Sequence, residues 1–458
     1  MSETGTGMGR SWTAAAGACA LIMALVLPAP RAWAQTSAAG TAPAPAAEPA
    51  PAPAPPDAPK LRNVHFRWDD HPTLHLAKGT RIVFRARFQV DNRHSDAPIP
   101  DADDSSVDVA RKRIGVEGEI AGLFDFQVER ELTNDDPWRD VYVNYKQFEQ
   151  AQFQAGKFKQ PFSLDENTGP TNLDFVYRSM IATRLAPGRD IGWMAHGRVV
   201  NRIFRYEIGM FEHDGRNARP RNPERVSGEQ TWAMRFGAQP FRTSKTILED
   251  LLVGIAMTRS DLSDQTGLPE GIPGLRARTA FDQTFFNQDV WIRGRRERRG
   301  YEARWRPGPA SIKAEYIRVT DERLDQSVED TDLSPFLAKG WYVSGTFALT
   351  GEKKADGLDV PRRPLGRGGI GAVELALRLE EMTFGSEAAN DVPSTSPRAD
   401  VILGNTDRVT TFGVNWYLNR WVKIQFNVIR DKITDPSQGP LPSQPVIWNR
   451  VLRFQFQL

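Results

Sequence analysis

Hydrophobic and polar residues alternate with a period of two along most of the chain beyond Leu61. Clear examples are residues 82–90, 123–129, 373–379, 422–428 and 452–458. Such alternation predicts β-strands that have one apolar face and one polar face. Because helical periodicity is absent from these segments, we predict an all-β protein.

The number and spacing of these segments suggest how the strands are arranged. We count about sixteen segments, with about eighteen as the alternative, and each is near the ~10 residues with which a tilted strand crosses a bilayer. Longer polar connections alternate with short turns, which are residues 119–122, 148–150, 306–309 and 418–420. A transmembrane barrel has short turns at one end and long loops at the other. The pattern therefore predicts a transmembrane antiparallel β-barrel.

Tryptophan residues lie near the ends of several predicted strands. They are Trp138, Trp193, Trp291, Trp305, Trp416, Trp421 and Trp448. This distribution suits an interfacial girdle, because the indole ring is apolar and its N–H group binds water. The alternative is ordinary core packing in a soluble sandwich or barrel.

One long basic and aromatic segment interrupts the strand pattern. The chain alternates as it approaches Gly156, shows no strand pattern through residues 160–189, and resumes the alternation at 190–194. Segments on both sides read as strands, so the interruption would be a loop of the barrel. We hypothesise that this loop folds into the barrel and narrows it.

Composition excludes some classes of protein. The formal net charge of +2 does not indicate a nucleic-acid partner, and none is expected. A mean hydropathy of −0.48 excludes a helical membrane protein with several spans. The only cysteine is Cys19, which lies in a segment that we expect to be removed. The mature chain would then have neither disulfides nor thiol chemistry.

The N-terminal part of the chain predicts secretion. Residues 1–34 have a positive flank, an apolar core and a small-x-small cleavage site, as in a signal peptide. Residues 35–60 are almost all Ala and Pro, which predicts an extended tether that cannot join a sheet. The barrel would then comprise residues 61–458.

Motifs of common enzymes are absent from the sequence, and no cofactor is expected. There is no phosphate-binding glycine loop with Lys and Ser or Thr, no Gly-x-Ser-x-Gly motif and no cysteine pair. A cluster of acidic and imidazole side chains lies near the mature N-terminus: His65, Asp69, Asp70, His71 and His75. Its spacing fits no standard metal site, so a solvated turn is the better interpretation.

Arginine residues are concentrated on predicted strands. Arg293 and Arg295 begin a run of seven arginines within residues 291–306, and a turn around residues 296–300 would divide this run between two strands. Arg85, Arg87, Arg111 and Arg113 lie on the polar face of early strands. An arginine facing lipid near the midplane costs ~2–4 kcal/mol, so these side chains would line the pore or its rims.

Rings of basic residues in a pore select anions. The alternative is a set of solvated charges, paired with acids, that confers no selectivity. Acidic residues also reach the polar faces, namely Glu117, Glu119, Asp125 and Glu129. The lumen is therefore expected to be mixed in charge.

The interrupting segment resembles a known family. Residues 156–164 read Gly-Lys-Phe-Lys-Gln-Pro-Phe-Ser-Leu, residues 173–179 read Leu-Asp-Phe-Val-Tyr-Arg-Ser, and residues 189–192 read Arg-Asp-Ile-Gly. These motifs are similar to those of the phosphate-selective porin O and P family. The resemblance implies a sixteen-stranded barrel in the outer membrane of a Gram-negative cell, usually trimeric, with an inward-folded third loop. It also implies basic residues that bind phosphate at the constriction.

The resemblance can be carried over residue by residue. Its matching basic residues here are Lys157, Lys159 and Arg178, with Arg184 and Arg189 as further candidates. Regular alternation from Phe153 would turn Lys157 and Lys159 outward, so the strand must twist there or the two residues must lie beyond the bilayer. We expect a homotrimeric porin that conducts small anions, plausibly phosphate. The alternatives are a weakly selective porin and an outer-membrane enzyme or adhesin scaffold.

Overall fold

The chain divides into two units, Met1–Lys60 and Leu61–Leu458. The computed structural model describes residues 64–68, 71–76, 79–100, 107–132, 137–215, 230–262, 272–286, 290–357, 360–366, 368–388, 393, 402–438 and 444–458. The signal peptide predicted for 1–34 and the tether predicted for 35–60 lie outside the described residues. The fold below is therefore that of the second unit.

Strands dominate the described residues. They are β1 His65–Trp68, β2 Pro72–Leu76, β3 Thr80–Ser95, β4 Val107–Ile120, β5 Phe124–Glu131, β6 Trp138–Phe148, β7 Ala151–Lys159, β8 Arg189–Val199, β9 Phe204–Phe211, β10 Thr231–Ala238, β11 Leu252–Asp261, β12 Ile272–Pro273, β13 Ala277–Arg278, β14 Thr284–Phe286, β15 Trp291–Ile292, β16 Arg295–Trp305, β17 Ala310–Arg323, β18 Leu333–Ala348, β19 Ala372–Ser386, β20 Asn405–Tyr417, β21 Val422–Ile433 and β22 Val446–Gln457. The helices are short: α1 Leu164–Asn167, α2 Met180–Arg184 and a 3-10 turn at Pro436–Gln438. No helix among the described residues is long and apolar enough to cross a membrane.

Sixteen strands close into one antiparallel barrel, as the sequence predicted. β3 to β11 and β16 to β22 pair in chain order, and β22 returns to pair with β3. Phe456 faces Phe88 across this seam. Leu458 extends the seam, because its N–H donates to the Ala86 carbonyl at 2.8 Å and its carbonyl accepts from the Ala86 N–H at 3.0 Å.

The hairpin β1–β2 adds two strands to the same sheet without entering the closed ring. β2 pairs with residues 80–83 of β3, next to the edge that β22 occupies from residue 87 onward. The eighteen strands of the sheet are therefore the sixteen of the barrel and the two of this hairpin.

Side chains of each strand alternate between a lipid-facing exterior and a polar interior. In β10, Trp232, Met234 and Phe236 are exposed, whereas Ala233 and Arg235 are buried. Four of the largest fully buried side chains are arginines, namely Arg296, Arg298, Arg323 and Arg453. Polar groups in a lipid-facing position are costly, so apolar residues cover the outside and charged residues pair inside.

The arginine-rich segment corrects one prediction. Residues 295–305 form the single strand β16, so the turn predicted around residues 296–300 is wrong. The alternation continues through this region, with Arg296, Arg298 and Glu302 on the buried face and Tyr301 on the exposed face. The density of charge suggested a turn, but β16 carries charges on both faces here: Arg296 and Arg298 point inward, whereas Arg295 and Arg299 are exposed.

Candidate functional site

The interrupting segment forms the long loop between β7 and β8, residues 160–188, which we call L3. Each of its two helices begins with a serine cap. The Ser163 hydroxyl accepts from the Glu166 N–H at 3.2 Å, and the Ser179 hydroxyl accepts from the Ala182 N–H at 3.3 Å. Such caps satisfy N–H groups that a helix start leaves unpaired. L3 is therefore an ordered element with its own local structure.

Polar side chains from the barrel wall hold the backbone of L3. Glu315 of β17 accepts from the N–H groups of Leu164 and Asp165, the latter at 2.9 Å. Glu380 of β19 accepts from the Met180 N–H at 2.9 Å. Backbone polar groups inside a protein need partners, and the wall supplies them here. This arrangement fixes L3 inside the barrel, as the sequence predicted.

The later strands continue this anchoring. The Asn427 amide oxygen accepts from the Val176 N–H at 2.8 Å, and Arg453 donates to the Val176 carbonyl at 2.7 Å. Lys423 donates to the Leu173 carbonyl at 2.7 Å. L3 is thus attached to strands from β17 to β22. These strands are distant in sequence from β7 and β8, which L3 connects.

Glycines in the wall allow L3 to approach closely. A Cβ placed on Gly340 would lie 2.6 Å from Ile181 Cγ2, and one on Gly300 would lie 3.1 Å from Phe162 Cζ. Real Cβ atoms are not found at 2.6 Å from another carbon, because van der Waals contact begins near ~3.5 Å. Because Gly340 has no side chain, α2 can pack closely against β18 at this position.

An apolar core forms between L3 and a second inward-folded loop. This second loop joins β11 to β16 and contains β12 to β15, and we call it the β11–β16 loop. Its Phe285 and Phe286 pack with Phe384 of the wall, with the Phe286 and Phe384 ring centroids 5.2 Å apart. Phe281 contacts Tyr177 of L3 at 5.7 Å. The sequence analysis did not predict this loop, although its apolar residues in a long polar connection were a signal.

The opposite wall keeps its side chains in contact with water. Arg85 of β3 and Glu117 of β4 pair with each other while 38% and 33% of their side chains stay exposed. Lys146 bridges Glu119 at 3.0 Å and Asp125 at 2.8 Å. All five point inward by the alternation of their strands. This part of the wall is therefore accessible to water, and its lining is mixed in charge.

Lys159 and Arg178, two of the residues predicted to bind anions, lie close together. Lys159 is the last residue of β7, and its ammonium donates to the carbonyls of Glu166 and Thr168, the latter at 3.2 Å. Arg178 donates to the same Thr168 carbonyl at 2.5 Å and lies 3.4 Å from the Glu166 carboxylate. The two side chains thus shape L3 as well as giving it positive charge.

Lys157 stands apart from this pair. Phe158 points inward, against Phe211 and Tyr142 at ring distances of 5.3 and 6.2 Å. By alternation, Lys157 then points outward, as does Ile191, its cross-strand neighbour. Its part in anion binding stays a prediction.

Arg184 and Arg189 occupy the two ends of the same region. Arg184 at the end of α2 pairs with Asp282 of the β11–β16 loop at 2.6 Å. Arg189 makes a two-pronged contact with Asp140 of β6, at 2.7 and 3.1 Å. Arg189 also lies within electrostatic reach of Lys159. Arg189 therefore belongs to the basic cluster, whereas Arg184 joins the two inward-folded loops.

Of the other arginines predicted on β3 and β4, Arg111 lies within electrostatic reach of Arg178 in L3. Arg87 and Arg113 share the Glu129 carboxylate, at 3.3 and 3.0 Å, and Arg113 also pairs with Glu131 at 2.6 Å. Arg111 donates to the Gln89 amide oxygen at 2.5 Å, and no carboxylate of a described residue lies within 4.0 Å of it.

Arg111 lies within electrostatic reach of Arg113, Arg178 and Arg453. Four guanidinium groups thus collect between L3 and the β22–β3–β4 wall. Arg453 was not predicted as a site residue, because only the closure of the barrel brings β22 to β3.

Arg293 and Arg295 lie at the rim near the start of β16. Their side chains are 38% and 45% exposed, and they lie 3.8 Å from Asp325 and 3.7 Å from Glu322. Arg295 has the outward parity of Tyr301, so the structure does not bring it into the lumen. The buried arginines of this segment are Arg296 and Arg298.

Arg296 and Arg298 share one carboxylate. Asp214, in the β9–β10 connection, lies 2.9 Å from Arg296 and also pairs with Arg298. Burial alone would raise the pKa of Asp214, but the two guanidinium groups outweigh it and lower that pKa to about 2. Arg296 also pairs with Asp321 at 2.7 Å, so two carboxylates neutralise the two arginines, which are structural more than anion-binding.

Comparison with known proteins identifies the relatives of this chain. A family described as phosphate-selective porin O and P matches residues 82–458. Porin O of Pseudomonas aeruginosa is 32% identical over 144 residues, which cover 30% of this chain and 30% of that relative. This match thus spans less than a third of the relative's length.

Solved structures of low sequence identity share the fold. In-vitro folded OmpT, an outer membrane protein of Vibrio cholerae, is 12% identical with a TM-score of 0.51, over 83% of this chain and 98% of that one. The outer membrane channel DcaP of Acinetobacter baumannii is 9% identical with a TM-score of 0.51, over the same shares. At these identities the likeness concerns the barrel fold alone.

Proposed function

The chain belongs to the phosphate-selective porin O and P family, and we propose from this that it forms a water-filled channel for small anions, including phosphate. Membership in the family confirms the expected location in the outer membrane of a Gram-negative cell and the expectation that the chain is not an enzyme. The observation that carries the proposal is the family match over nearly the whole barrel. The geometry of the lumen supplies a mechanism.

The guanidinium groups between L3 and the β22–β3–β4 wall would select the ion. A small anion loses part of its hydration shell where L3 narrows the lumen, and charged N–H donors replace the lost water. Arg111 is best suited to this role, because Gln89 takes one of its donors and no carboxylate of a described residue lies within salt-bridge distance of it. Lys159 would add positive charge nearby, whereas Arg178 and Arg189 would add less, because Glu166 and Asp140 pair with them. Arg87 and Arg113 would contribute less, because Glu129 pairs with both.

A weakly selective porin is the second candidate function. The mixed lining formed by Arg85, Glu117, Lys146 and Asp125 favours it. Alternating charges of both signs give cations a path along β3 to β6 that a purely basic lumen would deny them. The two candidates differ in the sign of the reversal potential and in the effect of phosphate.

We also propose that three copies assemble into a homotrimer in the outer-membrane lipid. The support for this is the resemblance to the family. Size-exclusion chromatography with light scattering in detergent would measure the mass of the assembly. A single chain of 51.3 kDa, less any removed signal, would contradict the trimer.

Purified protein in a planar lipid bilayer tests the anion channel. Under a salt gradient, the reversal potential should favour chloride over potassium, and added phosphate should reduce the chloride current. Arg111→Gln should weaken the phosphate block by about 10-fold or more, because a hydrogen bond to a charged group contributes ~1.5–3 kcal/mol. Arg299→Gln is the matched control, since Arg299 is 62% exposed on the outer face of β16.

The outcomes separate the candidates. A cation-favouring potential would reject the anion channel, and an anion-favouring potential without phosphate block would support the weakly selective porin. Equal block in the Arg111 and Arg299 variants would remove Arg111 from the site. Absence of any current from folded protein would reject the channel itself.

A further inference from the structure

One connection at the short-turn end of the barrel is long and turns into the barrel. It joins β18 to β19, residues 349–371, and we call it the latch turn. The other described connections at this end are mostly short, such as those before β5, β7, β9 and β17. Within the latch turn, Lys354 has a fully buried side chain, although the adjacent Lys353 is exposed. A buried lysine in a turn needs a specific partner.

The partners of Lys354 lie on L3 and on the wall. Its ammonium donates to Asp174 of L3 at 2.6 Å and to Glu374 of β19. Lys313 of β17 donates to the other oxygen of Asp174 at 2.7 Å. Two ammonium groups and two carboxylates thus form a buried, hydrogen-bonded cluster, and the ammonium of Lys423 lies within electrostatic reach of both carboxylates. Within it, Lys354 is the member that comes from the latch turn.

A second contact joins the same two segments. A Cβ placed on Gly357 of the latch turn would lie 3.2 Å from Asn172 Oδ1 and 3.6 Å from Asn172 Cα in L3. The latch turn therefore touches L3 at residues 172 and 174. Its own position is fixed by the Lys354 N–H, which donates to the Gly308 carbonyl at 2.8 Å.

We propose that the latch turn fastens L3 from the periplasmic side, and that releasing Lys354 lets L3 move and changes the current through the channel. This inference rests on the proposed channel function. Removing Lys354 would leave Asp174 with Lys313 as its hydrogen-bonded ammonium and would take away the hydrogen bond that joins the latch turn to L3, so L3 would be held less firmly in its seat. The latch turn is reachable from the periplasm, so a periplasmic event could act on the constriction through it.

Single-channel recording of the Lys354→Met variant tests the latch. Methionine keeps the length and apolar stem of lysine and removes the charge. We expect the wild type to show a steady current. The variant should switch to other current levels, which correspond to a displaced L3, about 100-fold more often, because one partner has been removed from a buried ion pair. Lys353→Met makes the same change one residue away on an exposed side chain and should match the wild type.

A reversible crosslink supplies the second arm. Cys19 is the only cysteine in the sequence, so Asn172→Cys with Gly357→Cys introduces one defined pair in the barrel. The spacing of these positions is near the ~3.5–4.5 Å that separates the Cβ atoms of a disulfide. Oxidation should restore the steady current of the Lys354→Met variant, and reduction should remove it again.

The crosslink also covers a failure to fold. If Lys354→Met alone does not form barrels, the protein can be folded with the disulfide closed and reduced after insertion. Identical traces for the Lys353 and Lys354 variants, or no change on reducing the crosslinked Lys354 variant, would overturn the latch. A wild type without any current would instead contradict the channel.

Discussion

Arg453 and Asp91 form a two-pronged ion pair across the seam of the barrel, with both N–O distances at 2.6 Å. The two residues come from β22 and β3, the last and first strands of the ring. Arg453 also donates to the Val176 carbonyl of L3, so the same guanidinium joins the seam to the loop. Closure of the barrel and seating of L3 are therefore coupled.

Asp91→Asn should destabilise the barrel strongly. The substitution leaves a buried arginine without a full counter-charge, which costs about 3–5 kcal/mol. We expect unfolding at a lower urea concentration. The folded fraction is measured on gels, where the folded barrel migrates differently from the heat-unfolded chain. Asp108→Asn is the control: the Arg93–Asp108 pair is 3.8 Å long and half-exposed, so its loss should cost about 0–1 kcal/mol. Equal effects in the two variants would contradict the seam role of Asp91.

Lys159 and Lys157 should differ in their effect on the current. Lys159→Gln removes positive charge beside Arg178 and a donor to the Thr168 carbonyl, so phosphate block should weaken and the current should become noisier. Lys157→Gln changes the same residue type two positions earlier and should leave both quantities near the wild-type values. Titration of phosphate against chloride current measures the block. A larger effect from the Lys157 variant would show that Lys157, not Lys159, belongs to the site.

Stability should fall in acid through Asp214. The pKa of this carboxylate is lowered to about 2 in the folded protein, so its pairing with Arg296 and Arg298 is fully present above the unfolded value near 3.8. The contribution is lost as the pH falls from about 3.8 towards 2. We expect unfolding midpoints that are steady near neutral pH and that decline in this window. Asp214→Asn should be less stable at neutral pH and lose that part of the acid dependence.

A matched control exists for that experiment. Asp282 is 52% exposed and pairs with Arg184, so Asp282→Asn should cost about 0–1 kcal/mol and keep the acid dependence of the wild type. If Asp214→Asn retains the full decline below pH 4, other carboxylates account for it.

Gly340→Ala should displace L3. The new Cβ would lie 2.6 Å from Ile181 Cγ2 of L3 and closer still to the Glu381 carbonyl oxygen of β19, and over-packing of this kind costs about 1–3 kcal/mol. We expect a folded barrel whose conductance differs from that of the wild type, because α2 can no longer sit against β18. Gly345→Ala on the same strand is the control, since its nearest neighbour would be the Ser311 carbonyl at 3.8 Å. Unaltered conductance in Gly340→Ala would mean that L3 tolerates the shift.

The barrel was predictable because a strand that is exposed on one face shows alternating apolar and polar residues in its sequence. This alternation predicted about sixteen strands, with about eighteen as the alternative, and the family resemblance implied sixteen strands with an inward-folded third loop. The latch turn and the β11–β16 loop did not follow, because their inward course depends on partners such as Asp174 and Phe384 that are distant in sequence.

Register decides which side chains of the arginine-rich segment point inward. A shift of one residue exchanges the two faces of a strand. The sequence analysis expected Arg293 and Arg295 to line the pore or its rims, and both lie at the rim, whereas the buried face carries Arg296 and Arg298. Likewise, Arg453 could not be grouped with Arg111, because nothing local indicates that β22 meets β3.

The anchoring of L3 by β17 to β22 also dictates when the loop can take its place. The Arg453–Val176 contact spans 277 residues of sequence, and the Glu380–Met180 contact spans 200. In sequence, L3 follows the fifth strand of the ring, whereas these partners lie in the C-terminal half of the chain. Contacts of such long range form slowly and late. L3 therefore takes its place in the barrel only after the final strands have formed. A chain shortened at its C-terminus would lose both the seam of the barrel and the constriction.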